Sequence, residues 1–209
     1  MFRRLITLAV AIAVLAAVLV PAALAVRVKV RVEGKTATIF GAAEPTIGSA
    51  PTALAALDAA SFAGEFYSHV QSTGFGPFVD QIGRYAAAGF SGWSYKLNGV
   101  SLPVAADQAT IKAGDTVLWY WSTFTEQGGS PTLLLARWHP SKARSQPPIR
   151  NCYSVLSQND QGQATLASGA ILRDDGRRIA TSSGRVCIGK HRGLVRATLM
   201  DAVRSNALS

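Results

Sequence analysis

The feature that most constrains this 209-residue chain is a break about two thirds of the way along it. From Arg137 to Pro148 the run Arg-Trp-His-Pro-Ser-Lys-Ala-Arg-Ser-Gln-Pro-Pro sets three prolines among basic and small polar residues. Proline fixes φ and donates no hydrogen bond, so this stretch continues neither a helix nor a central strand. The charge changes across the same break. Residues 26–136 carry 7 basic and 8 acidic side chains, net −1, whereas residues 137–209 carry 12 and 4, net +8. Two modules of different character are expected, one over residues 26–136 and one over 151–209, with a Pro/Arg-rich linker over 137–150.

The first 25 residues read as an address. Arg3 and Arg4 precede an apolar run from Leu5 to Val20, and Pro21 is followed by Ala23-Leu24-Ala25. A charged start, an apolar middle and small residues two apart are what export and signal cleavage require, so a signal peptide over 1–25, cut before Val26, is expected. The alternative is an uncleaved anchor, because the apolar stretch from Leu5 to Val26 could cross a bilayer about 30 Å thick. In both cases basic residues stay on the cytoplasmic side and the rest of the chain lies beyond the membrane, extracellular or on the cell surface. That compartment is oxidising, which favours a disulfide between Cys152 and Cys187 over two buried free thiols. A closed loop of about 35 residues is stabilised by roughly 3–4 kcal/mol in the chain-entropy treatment.

Within the first module, Val26, Val28, Val30 and Val32 alternate with Arg27, Lys29, Arg31 and Glu33, the period of a half-buried strand. A turn at Gly34 leads into Thr36–Phe40, completing a hairpin. Thr52 caps an expected helix whose Leu54, Leu57 and Phe62 share a face and which Gly64 ends. Further strands are expected over Phe66–Val70, Phe78–Ile82, Gly92–Leu97 and Thr116–Trp121. A hairpin, one helix and then more strands is the order of a β-grasp, so the fold class expected is α+β, mostly β.

The residues Gly92-Trp93-Ser94-Tyr95-Lys96-Leu97-Asn98-Gly99, then Ala106-Asp107, then Gly114-Asp115-Thr116-Val117 and Trp119 resemble the transcobalamin-like C-terminal domain. This bacterial extracellular domain of unknown function is similar to the small β-domain of the vitamin B12 carriers transcobalamin and intrinsic factor. The resemblance covers about residues 26–135. It implies ligand contacts at Trp93 and Ser94 on the aromatic strand and at Val104, Ala105 and Ala106 in the loop after it. In the carriers a large helical domain holds the other face of cobalamin. No helical repeat is found here, so capture of a corrinoid by this chain alone is not expected, and an accessory role in corrinoid binding is the alternative. Tyr95 joins Trp93 on one face of its strand, and Trp119 and Trp121 are set opposite Tyr120. Core packing accounts for one aromatic face. The other either meets the second module or forms a binding platform.

The second module reads as short strands over Cys152–Leu156, Ala164–Leu172, Ile179–Thr181, Arg185–Ile188, Leu194–Leu199 and Val203–Asn206, with turns at Asp174-Asp175-Gly176 and Ser182-Ser183-Gly184. Its turn glycines and short strands resemble the Ig-like or prealbumin-like β-sandwich modules appended to bacterial surface proteins. A charge of +8 attracts polyanions. Outside a cell these are envelope polymers rather than nucleic acid. Two cysteines and three well-separated histidines do not make a zinc ribbon or an iron–sulfur site, so no metal is expected. No Gly-x-Ser-x-Gly elbow occurs, and Asp80, Asp107 and Asp115 are scattered along the chain. The reading is therefore a non-catalytic binding protein for an unknown small molecule or surface partner, with Trp93-Ser94-Tyr95 and Val104-Ala105-Ala106 as its site. No catalytic residue is assigned, and an extracellular hydrolase is the opposing class.

Overall fold

The structure, a computed structural model, describes residues 25–74, 76–138 and 151–209. The expected signal segment, apart from Ala25, and all of the expected linker but Arg137 and Trp138 lie outside the described residues. The fold is α+β and mostly β, with a β-grasp-like half followed by a small β-sandwich-like half.

The first half is built around strand β1 (Val26–Glu33). Its valines are all turned to one side, and Val28, Val30 and Val32 have no exposed surface. Strands β2 (Thr38–Phe40) and β3 (Thr46–Ser49) share one edge of β1, while β8 (Thr116–Thr123) runs parallel to its other edge. Strand β7 (Ser91–Leu97) pairs antiparallel with β8 and closes the sheet. Helix α1 (Ala53–Gly64) lies on the valine side. As expected, Thr52 caps it: the Thr52 hydroxyl accepts a hydrogen bond from the Ala55 N–H at 3.2 Å. Two details of the helix differ from expectation. The left-handed residue that stops it is Glu65, φ 51°, whereas Gly64 is the last helical residue and lies close against Phe40 and Phe66. Phe62 is 85% exposed, since the helix buries the side bearing Ala53, Ala56, Leu57 and Ala60. A small sheet of β4 (Ser68–Thr73), β5 (Gly76–Ile82) and β6 (Tyr85–Ala86) completes this side and contributes Val79 and Ile82 to the same core. Tyr67 is not part of β4, which starts two residues later than the expected strand.

The second half has two small sheets enclosing a separate core of Leu133, Leu135, Tyr153, Val155, Leu172 and their neighbours. In one, β9 (Thr132–Arg137) runs along one edge of β10 (Asn151–Gln158), and β14 (Arg185–Ile188) and β11 (Ala164–Leu166) share the other. The second has β12 (Ile171–Asp174) between β13 (Arg177–Ala180) and β15 (Val195–Thr198). No strand was expected over β9, whose residues up to Ala136 fall inside the bounds expected for the first module, yet its ladder partner is β10 and its Leu133 and Leu135 fill the second core. The strand expected over Ala164–Leu172 is interrupted by a turn in which Ala170 bonds back to Ala167 and Gly169 takes φ +77°. Residues Val203–Asn206 form no strand beyond one bridge to Thr132. The Asn206 side-chain amide takes the place of a ladder there, accepting from the Leu135 N–H at 2.8 Å and donating to its C=O at 3.1 Å. The expected disulfide Cys152–Cys187 joins directly opposed residues of β10 and β14.

The two halves meet across the five-stranded sheet. On its far side Tyr120 and Leu118 pack on Val203, and the Lys96 ammonium reaches Thr132 Oγ1 at 3.1 Å and the carbonyls of Gln158 and Asn159 at 3.3 and 2.7 Å. Alternation in β1 would put Arg31 and Glu33 in water, but they are 3% and 0% exposed. Glu33 receives Arg204 Nε at 3.0 Å, Arg31 Nη1 at 3.5 Å and the Arg196 guanidinium, and Arg31 also pairs with Glu44 at 3.1 Å. The second aromatic face therefore meets the second half of the chain.

Candidate functional site

Strand alternation decides what the aromatic strand offers. Trp93 and Tyr95 point to the helix side, together with Trp119 from the adjacent strand; Tyr95 and Trp119 have ring centroids 5.4 Å apart. The polar tips of these rings are all spent internally. Trp93 Nε1–H donates to the Tyr85 carbonyl at 2.9 Å, Tyr95 O–H to the Val104 carbonyl at 2.7 Å, and Trp119 Nε1–H to the Ala53 carbonyl at 3.1 Å. Burial, with the Asp107 carboxylate in second place, pushes the Tyr95 hydroxyl pKa up, so it stays a neutral donor.

Between these rings, the loop carrying Ala105 and Ala106, and the β4–β5 hairpin lies a cavity of about 490 Å³. Five of the six expected site residues border it: Trp93, Ser94, Tyr95, Ala105 and Ala106. Val104 does not. It is 46% exposed, and its part is to fix the Tyr95 hydroxyl through its carbonyl. Ser94 borders the cavity but, as the intervening residue of the strand opposed to Tyr120, it turns its side chain to the opposite side of the sheet. The sequence reading missed Thr73, Phe78, Val79 and Trp119 as cavity residues. For Trp119 the signal was present, as it has the same parity as Trp93 and Tyr95 across the pair. The β4–β5 hairpin gave no signal, because its approach to β7 depends on tertiary packing.

The cavity is apolar and uncharged: among the described residues no Asp, Glu, Lys, Arg or His lines it. Its size lies within the range of roughly 300–1,000 Å³ typical of small-molecule sites. The motif residues that frame it hold the loops in place. Asn98 and Gly99 take φ 51° and 86° in a tight turn closed by Leu97 and Val100, and Asp115 receives the Lys112 N–H at 2.7 Å and Asn98 Nδ2 at 2.9 Å. These two residues are turn locks.

A second, larger cleft of about 1090 Å³ lies between the two halves, bordered by Trp121, Lys35, Arg173, Arg196 and Arg204. Its guanidiniums look suited to an anion, but Arg196 and Arg204 are committed to Glu33, Thr38 and the carbonyls of Ser205 and Gly34. Among the described residues no group of three His, Cys, Asp or Glu side chains could hold a metal ion. His69 pairs with Asp80 on the exposed face of β4–β5 at 2.7 Å, and His191 bonds the Tyr153 hydroxyl at 2.8 Å inside the second core. Among the described residues no helix is long and apolar enough to cross a membrane.

The strand, turn and loop that build the cavity coincide with a known sequence family. Residues 49–123 match the family described as Domain of unknown function (DUF4430), which is transcobalamin-like. The match takes in α1, the β4–β5 hairpin, β7 and β8, hence the whole cavity, and leaves β1 and the second half outside it. No curated protein matches the chain.

Proposed function

We propose that this protein is a non-catalytic binding protein, secreted or held at the cell surface, whose cavity beside β7 receives a small uncharged ligand or an uncharged part of a larger partner. The observation that carries this reading is the state of the three rings. Their N–H and O–H groups are all satisfied by main-chain carbonyls, so the wall they present is large, rigid and apolar. Such a wall gains by covering apolar surface and discriminates against charge, which would be stripped of water without a partner.

The second half contributes attachment in this reading. Arg173, Arg178, Lys190 and Arg192 are exposed on it, and exposed positive charge attracts anionic envelope polymers through a field that salt screens. The test uses the full chain. Toluene added to ¹⁵N-labelled protein should shift the indole signals of Trp93 and Trp119 and leave that of Trp138 in place; unchanged Trp93 and Trp119 signals up to toluene saturation would overturn the reading. Cyanocobalamin in the same titration tests the corrinoid alternative that the resemblance implies. Retention on isolated cell walls should fall steeply as salt is raised to about 1 M, where the Debye length is about 3 Å.

A further inference from the structure

Strand β7 is the end of its sheet, paired with β8 on one side only. Its register against β8 is unbroken from Ser91↔Thr123 to Leu97↔Val117. In such a ladder, opposed residues alternate between exchanging both hydrogen bonds and exchanging none, so the direction of every backbone group follows from its parity. Ser91 exchanges its N–H and C=O with Ala88, at 3.0 and 2.9 Å, and Leu97 exchanges its own with Val100, at 2.9 and 3.0 Å; both therefore point away from β8. The even positions at either end do the opposite, because Thr116 O accepts the Asn98 N–H at 2.9 Å and Phe90 O accepts the Phe124 N–H at 2.7 Å. Trp93 and Tyr95 share the parity of Ser91 and Leu97. Their N–H and C=O groups are aimed at the unpaired edge of the sheet, where among the described residues no strand is laddered, and the two residues are 5% and 9% exposed. These are the same two residues whose rings wall the cavity.

We propose that the cavity beside β7 takes an extended, uncharged peptide segment, which adds to the sheet as a further strand on the main chain of Trp93 and Tyr95. This inference rests on the binding role just proposed for the cavity and names its ligand class. Two outward pairs of N–H and C=O groups, about 7 Å apart along the strand, match the repeat of an extended chain and give four directional bonds. The residues placed opposite Trp93 and Tyr95 would turn their side chains to the cavity side, against the rings. The residue between them would face the other way. Charge complementarity limits the sequence, since among the described residues no charged side chain lines the cavity. Two small apolar residues separated by one of any polar type satisfy both conditions.

The test compares three capped peptides on the ¹⁵N-labelled full chain. Acetyl-Gly-Val-Thr-Val-Gly-amide is expected to slow amide exchange at Trp93 and Tyr95 at least about tenfold. The analogue N-methylated on both valines cannot donate to β7 and is expected to bind at least about tenfold more weakly, whereas N-methylation on threonine, whose N–H faces away, is expected to cost little. Equal affinity of the parent and the valine-methylated peptide, or unchanged exchange at Trp93 and Tyr95, would overturn the proposal. Slowing that follows protein concentration without any peptide would also overturn it, by making a second copy of the chain the occupant. Toluene separates the two readings: if toluene shifts the cavity signals and no peptide binds, the cavity stays a binding site and the peptide is wrong. If neither binds, both fail.

Discussion

The two faces of the five-stranded sheet are covered in opposite ways. On one, Val28, Val30, Val32, Trp93, Tyr95 and Trp119 meet α1 and the β4–β5 hairpin through apolar contact, and a cavity remains at the edge. On the other, Arg31, Glu33 and Lys96 meet the second half through ion pairs and hydrogen bonds, beside the packing of Tyr120 on Val203. Apolar packing is non-directional, so it tolerates a gap that a ligand can fill. A buried charge tolerates none, because an unpaired partner costs several kcal/mol. The difference teaches where this chain can bind and where it can only be held together: the adaptable surface is the apolar one.

The largest effect should come from breaking the polar face. Glu33 is the carboxylate on which Arg31, Arg196 and Arg204 converge, and Glu33→Gln leaves those guanidiniums without it. A loss of about 3–5 kcal/mol is expected by urea denaturation. Because Arg196 lies on β15 and Arg204 in the C-terminal segment, the loss should appear as separation of two transitions, one for each core. A single transition shifted by less than about 1 kcal/mol would mean that Glu33 does not hold the halves together.

A smaller effect distinguishes the faces by pH. Burial lowers the Lys96 pKa from its ordinary value of 10.5 to about 8, the nearby Asp160 opposing the shift only partly. Below about pH 8 the lysine is charged in both folded and unfolded chains, and its desolvation weighs on the fold in full. Between about 8 and 10.5 the folded chain has released the proton while the unfolded chain keeps it, so stability from this group rises with pH, by at most about 1.4 kcal/mol per unit. Lys96→Met should abolish that rise between pH 8 and 10 in thermal or urea melts. Persistence of the same slope in the variant would assign it elsewhere.

The legibility of the two faces in the sequence follows from the same contrast. The apolar face could be read from period alone: Val28, Val30 and Val32 mark it on β1, and Trp93, Tyr95 and Trp119 mark it on β7 and β8. Asn98-Gly99 is a residue pair tolerant of the two positive φ angles that its turn adopts. The polar face gave the opposite signal from its role, since Arg31 and Glu33 occupy positions that alternation assigns to water. Their burial depends on Arg196 and Arg204, more than 160 residues away in the chain. Strand β9, where no strand was expected, was hidden for a related reason. Leu133 and Leu135 do not show which core they fill, and the proline-rich run separates β9 from its partner β10 in the chain. The six residues expected as a site from the family resemblance lie on two elements, β7 and the loop after it, that the Tyr95–Val104 hydrogen bond joins, and five of them border the cavity.

The smallest change is the most informative for the apolar face. Truncating Trp93 or Trp119 would cost several kcal/mol as core mutations, and lost binding could then be ascribed to lost structure. Phe78 avoids this confusion, because it borders the cavity while remaining 44% exposed at its mouth. Phe78→Ala should alter stability by less than about 1 kcal/mol, since half of the ring is already in water. Binding of toluene should nevertheless weaken by about fivefold, which corresponds to roughly 1 kcal/mol of lost contact. The polar face supplies the control: Arg173→Ala, at the cleft between the halves, should leave toluene binding unchanged. If Phe78→Ala binds as well as the unaltered protein while its melting curve is unchanged, the mouth of the cavity is not where a ligand enters, and the contrast drawn between the two faces would rest on packing alone.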